Sequence, residues 1–98
     1  MASAAVASAA PPAQVLTLGA GASSCASWQR SAESQAAGLQ WIAGYWSGLN
    51  AMAEGKVGHS TDVEGLVMEV ANVCATEPSL TLSHAVARVY IRLREAGR

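Results

Sequence analysis

The sequence predicts an all-α fold: a small single-domain bundle of about four helices with one disulfide. Three observations favour this class. The 98 residues suffice for one domain with one modest core. Apolar residues recur at helical spacing in the segments that begin near Leu39, Thr61 and Ser79. The chain has only two cysteines, Cys25 and Cys74, which can pair with each other in one way.

Residues 1–14 consist mostly of Ala, Ser and Pro, and we expect the folded domain to span 15–98. The small residues resemble the end of a secretory leader, but no Lys or Arg precedes Arg30. The segment is therefore interpreted as a signal-peptide remnant whose beginning is truncated, or as a disordered tail. The first interpretation predicts an exported, periplasmic protein.

Cys25 and Cys74 match neither a zinc-ligand pattern nor a redox Cys-x-x-Cys motif. A disulfide between them would remove about 4 kcal/mol of unfolded-state entropy on the chain-entropy model. The oxidising compartment of an exported protein favours such a bridge. Two separately buried thiols are the alternative.

The first two helices are predicted on either side of a glycine. The first runs over 25–34, with Gly38 as a break, and the second over 39–54. Apolar residues occur on both sides of the second helix, which predicts that it is buried nearly all round and central. Gly44 and Gly48 lower its helix propensity, which suggests that a neighbouring helix approaches there.

The third helix is predicted to begin with a capping box, with Thr61 as the cap and Glu64 reaching back to it. Asp62 and Glu64 also place negative charge at the positive end of the helix dipole. The fourth helix follows Pro78. Most carboxylates lie over 54–77 and most basic residues over 88–98, which predicts complementary faces on these two helices.

Chemical motifs are scarce, and we predict that the chain is not an enzyme. Neither His59 nor His84 forms a local nucleophile signature with a cysteine. Capping accounts for Asp62 and Glu64 without a metal, and we expect no cofactor. The net charge of −1 does not indicate a basic surface for nucleic acid. The apolar runs are too short for membrane insertion.

The second helix is rich in large apolar side chains. At helical spacing these are typical of a core. The alternative is a hydrophobic surface for protein clients or for a second copy in a homodimer. The residues concerned are Trp41, Tyr45, Trp46 and Leu49.

Residues 25–95 carry a set of motifs in an order that resembles a known family. The motifs are Cys25…Trp28, Trp41-x-x-Gly44-Tyr45-x-Ser47-Gly48-Leu49-Asn50, Thr61-Asp62-Val63-x-Gly65-Leu66, Val73-Cys74 and Pro78. The chain resembles the HdeA/HdeB family of small periplasmic proteins, whose best-known members are acid-activated chaperones. The known chaperones are more densely charged than this chain.

The resemblance implies a helical, disulfide-pinned domain that forms after export. It also implies a dimer at neutral pH that acid dissociates and partly unfolds, so that it holds denatured clients. The Gly44-Tyr45-x-x-Gly48 helix is similar to that of immunity proteins, which carry more cysteines. That similarity implies instead one dedicated partner, such as a secreted effector. In both cases the partners are proteins.

Overall fold

The structure is a computed structural model that describes residues 15–98. This part of the chain contains no β-strand and forms four α-helices after one 3₁₀ turn. The turn is Gly19–Ala22, and the helices are α1 Cys25–Trp28, α2 Ala32–Ala53, α3 Val63–Thr76 and α4 Leu82–Glu95. The predicted all-α bundle with one disulfide is thus confirmed. The predicted leader or tail, 1–14, lies outside the described residues.

The helix at the centre of the bundle is α4. Its buried side chains recur at intervals of three and four and meet the core on one broad stripe. They are Leu82, Ala85, Val86, Val89, Tyr90 and Leu93. The prediction that the second helix is central was wrong, since α2 buries only Gly38, Ile42 and Trp46 and leaves its opposite side exposed.

The boundary between the first two helices was also predicted wrongly. A reciprocal box starts α2: the Ser31 hydroxyl accepts from the Ser34 backbone N–H, and the Ser34 hydroxyl accepts from that of Ser31, both at 3.1 Å. This box satisfies two of the free N–H groups at the helix start. The helix then runs through Gly38 without a break.

Gly38 is the contact point between α1 and α2. A Cβ atom at this position would lie 2.1 Å from Nε1 of Trp28. Trp28 is almost fully buried, and its Nε1 donates to the Gln35 carbonyl at 3.4 Å. The indole thus lies directly on the Gly38 backbone, an approach that a Cβ atom at this position would block.

We predict that Gly38→Ala lowers the free energy of unfolding by about 1–3 kcal/mol, because the new methyl group displaces a packed indole. The matched control is Gly44→Ala in the same helix, where nothing lies within 4 Å of an added Cβ. Here better helix propensity should raise the free energy of unfolding by up to about 1 kcal/mol. Urea denaturation of dilute protein measures both. If both substitutions changed the free energy of unfolding in the same direction, this packing of Trp28 on Gly38 would be contradicted.

The connection from α2 to α3 is organised by one amide side chain. The Asn50 side chain accepts from the Val57 backbone N–H and donates to the Val57 carbonyl, both at 3.0 Å. The same carbonyl accepts from Trp46 Nε1 at 2.7 Å, and the Tyr90 hydroxyl donates to Asn50 Oδ1 at 3.0 Å. The network joins α2, the loop and α4 and leaves these polar groups satisfied.

Ion pairs join α3 to α4 and to the segment after it. Glu77, which caps the end of α3, pairs with Arg88, and Glu69 pairs with Arg92 at 2.6 Å and Arg98 at 3.8 Å. The charges on these two helices are therefore complementary, as the sequence predicted. None of the helices within 15–98 combines the length and the apolar character that a membrane crossing requires.

Candidate functional site

The Cys25–Cys74 disulfide is present, which confirms the predicted bridge. It joins α1 to α3 with the two Cα atoms 5.2 Å apart, and both cysteines are 0% exposed. Backbone hydrogen bonds hold the same region. The Cys25 N–H donates to the Leu80 carbonyl, and the Leu82 N–H donates to the Ser23 carbonyl, both at 2.8 Å.

We predict that replacing both Cys25 and Cys74 with Ala lowers the free energy of unfolding by about 4 kcal/mol, because the unfolded chain regains the entropy of a 49-residue loop. Urea denaturation at pH 7 measures the loss. Wild-type protein that is unfolded and refolded under reductant should show a comparable loss. A double variant within about 1 kcal/mol of the wild type would contradict a structural role for the bridge.

The start of α3 differs by one residue from the predicted capping box. The cap is Asp62, whose Oδ1 accepts from the Gly65 backbone N–H at 2.9 Å. Thr61 lies one position earlier and packs against Gly65, where an added Cβ would lie 2.0 Å from the Thr61 Oγ1. Glu64 lies exposed in the first turn. The predicted box, with Thr61 as cap and Glu64 reaching back, was therefore wrong, because Asp62 is an equally strong cap one residue closer.

We predict that Asp62→Ala lowers the free energy of unfolding by about 1 kcal/mol, because the Gly65 N–H loses its partner. Glu64→Ala, the matched control, loses only a favourable helix-dipole charge and should cost less, about 0.5 kcal/mol. Thermal unfolding at pH 7 compares the two. A larger loss in the Glu64 variant would favour the capping box that begins at Thr61.

The four apolar residues of the predicted client or dimer surface differ in burial. Trp46 is buried, with its ring 5.0 Å from that of Tyr90, and Leu49 packs against the core. Of the four, only Trp46 is fully interior. Trp41 and Tyr45, like Leu49, are half-buried and also pack against the edge of the core, with the ring centroids of Trp41 and Tyr45 4.7 Å apart.

Trp41 is held in place by the segment that precedes α1. Its Nε1 donates to the Leu18 carbonyl at 2.8 Å. Gly21 packs directly on the indole, where an added Cβ would lie 2.0 Å from Cζ2. The Leu18 side chain is 72% exposed beside this contact. The indole is therefore fixed in position although part of its surface faces solvent.

We define the outer face of α2 as Trp41, Gly44, Tyr45, Gly48 and Met52, which share one side of the helix at 3.6-residue spacing. Both glycines are exposed, and nothing lies within 4 Å of a Cβ built on either. The predicted close approach of a neighbouring helix within the chain is therefore wrong. Met52 is 87% exposed. The outer face is thus covered at Trp41 by the segment before α1 and is open at Gly44, Gly48 and Met52.

No charged residue lies on α2 beyond its first turn, where Glu33 is the single one. The polar side chains near the outer face are Gln40 and Ser47, and the Ser47 hydroxyl donates to the Ala43 carbonyl of its own helix at 2.7 Å. Elsewhere the exposed sides of α3 and α4 carry carboxylates and guanidinium groups. Among the three longer helices, α2 is the one with no charged residue beyond its first turn.

A second apolar feature is a groove of about 310 Å³ between α2 and α3. Its walls include Trp28, Leu39, Val67 and Ala71. Among residues 15–98, no three His, Cys, Asp or Glu side chains lie close enough to share a metal ion. His59 and His84 are both exposed, one in the loop before α3 and one in the first turn of α4.

Comparison of the chain with protein-family models, with curated proteins and with solved structures finds no match in any of the three. The resemblance of its motifs to the HdeA/HdeB family therefore stays a prediction.

Proposed function

We propose that the chain is an exported holdase that loosens in acid and binds unfolded proteins through apolar surface. The observation that supports this most is that two different kinds of bond hold its helices together. A buried covalent bond holds α1 to α3, whereas exposed ion pairs contribute to holding α3 to α4. Acid removes the ion pairs and leaves the disulfide intact.

Acid acts on the α3–α4 contact through charge. Carboxylates as a class are protonated and uncharged in strong acid, and ion pairs between α3 and α4 are then lost. The six Lys and Arg residues and both histidines are then positive, with four of the arginines over 88–98. Each exposed pair contributes at most about 1 kcal/mol, so the repulsion among the remaining cations adds to the effect.

Loosening of α4 would uncover the apolar stripe that forms the centre of the core. That stripe, which includes Val86, Val89 and Leu93, is almost completely buried in the folded state. Large exposed apolar surface binds other unfolded chains. The disulfide keeps α1 and α3 together, which limits how far the chain opens. An opened but compact state is the form in which a small domain can hold clients without a cofactor.

The experiment is light scattering of an acid-denatured client at pH 2.5 and, separately, of a heat-denatured client at pH 7. We expect the intact chain to suppress aggregation in acid at molar excess and to have little effect at pH 7. The disulfide stays intact in acid. The variant that lacks both Cys25 and Cys74 therefore serves as the control for how far the acid-loosened chain opens. Unchanged aggregation at molar excess in acid would refute the holdase.

We further predict that Glu69→Gln/Glu77→Gln lowers the free energy of unfolding at pH 7 by up to about 1 kcal/mol per pair, because the variant lacks these ion pairs. Urea denaturation followed by circular dichroism measures the loss. Glu33→Gln is the control, because Glu33 forms no ion pair with a described residue.

A dedicated partner at neutral pH is the competing function. It is favoured by the position of Gly44 and Gly48, which are exposed on the solvent side of α2, with the half-buried Tyr45 beside them. A rigid, pre-formed surface of this kind suits one specific protein. Affinity capture at pH 7 that recovers one stoichiometric partner, together with no effect on aggregation in acid, would favour this function over the holdase.

A further inference from the structure

We propose that the depression between the loop after α2 and the C-terminal end of α4 is a binding site for a phosphate group. The depression has a volume of about 160 Å³. Most of its lining side chains are basic, and the lining residues are Lys56, Val57, His59, Arg94, Gly97 and Arg98. This inference concerns the folded protein at neutral pH and does not depend on holdase activity.

The lining of the depression carries positive charge that is largely uncompensated. Lys56, Arg94 and Arg98 are three of the six Lys and Arg residues of the chain, and no lining side chain is acidic. Among the described residues, neither Lys56 nor Arg94 forms an ion pair, and Arg98 has only a long one, 3.8 Å, with Glu69. A terminal carboxylate on Arg98 would offset one of these three charges. A cluster of this kind attracts an anionic ligand.

The basic residues come from two separate elements, which the needs of the helix do not explain. Cations in the last turn of a helix are favoured by its negative end, and this accounts for Arg94. Lys56 and His59 belong to the loop before α3 and gain nothing from their own helix in this way. The Leu93 carbonyl at the end of α4 already accepts from the Arg98 N–H at 2.9 Å. A shared anionic ligand explains why the basic side chains of both elements converge.

Hydrogen bonds between the loop and the end of α4 hold the backbone around the depression. The Gly58 N–H donates to the Arg98 carbonyl oxygen at 3.2 Å, and Nε2 of His59 lies 3.3 Å from the Gly97 carbonyl oxygen. Both glycines have a positive φ, 97° at Gly58 and 72° at Gly97, which glycine adopts without strain. The lining side chains therefore extend from a preformed backbone, which lowers the entropy cost of binding.

The size of the depression and the kinds of donor favour a single phosphate group. Pockets for larger organic ligands have volumes of about 300–1,000 Å³, well above the 160 Å³ found here. The Arg94 guanidinium offers a planar pair of N–H donors that matches two phosphate oxygens, and the Lys56 ammonium adds a compact charge for a third. Both side chains are exposed to water, so we expect a dissociation constant of about 1 mM for the free ion.

The test is an NMR titration of the full chain with inorganic phosphate at pH 7 and constant ionic strength. We expect saturable shifts of the backbone amide signals over 56–60 and 94–98. Arg94→Gln and Lys56→Gln should each raise the dissociation constant at least about fivefold, because each removes a charged donor. Since both side chains are exposed, the thermal midpoint without phosphate should stay that of the wild type.

Arg30→Gln is the matched control. Arg30 is also exposed and forms no ion pair with a described residue, but it lies between α1 and α2, at the other end of α2 from the depression. Its substitution should change the dissociation constant less than about twofold, since exposed charges that far apart are screened. Equal weakening by all three substitutions would reflect general attraction of anions to the chain and would overturn the site.

Vesicles distinguish a phosphate group on a lipid from one in solution. Flotation is compared between phosphatidylcholine vesicles with and without phosphatidic acid, which presents a phosphate monoester at the membrane surface. Binding that requires phosphatidic acid and is reduced in Arg94→Gln would support a lipid headgroup as the ligand. Binding of the free ion without flotation would support a soluble ligand. No saturable shift up to about 20 mM phosphate, together with no flotation, would overturn the proposal.

Discussion

The covalent bond between Cys25 and Cys74 is the constraint on which the arrangement of the other helices depends. α1 has only four residues and one turn, which is too short to persist as an isolated helix. The bond and the backbone hydrogen bonds to the loop before α4 hold this turn against the bundle. Trp28 at its end is thereby placed over Gly38, so the bond also fixes where α2 lies.

In this arrangement the four helices contribute different numbers of buried side chains to the core. α4 buries a broad stripe and is surrounded, whereas α2, the longest helix, buries one side only. Asn50 then links the buried side of α2 to Tyr90 of α4 and to Val57 in the loop. These contacts use one side of α2, and the segment before α1 contacts Trp41, so the exposed part of the outer face is that of Gly44, Gly48 and Met52.

The sequence predicted the features that depend on local patterns. The single cysteine pairing, the two later helices and their complementary charges all follow from residue counts and spacing. The errors concern features that distant residues decide. Gly38 resembles a helix break until Trp28 is known to lie on it, and Trp41 and Trp46 cannot be ranked by burial when both sides of a helix are apolar. The cap at Asp62 was a choice between two adjacent strong caps, which pattern alone does not settle.

The ion pairs and the outer face of α2 lie on different parts of this molecule. The ion pairs that acid removes join α3 to α4 and its C-terminal end, and none of those among the described residues involves α2. The outer face of α2 contains no Asp, Glu, His, Lys or Arg residue. A loss of ion pairs in acid would therefore reach this face only if loosening of α4 first displaced α2 through Asn50 and the buried side chains.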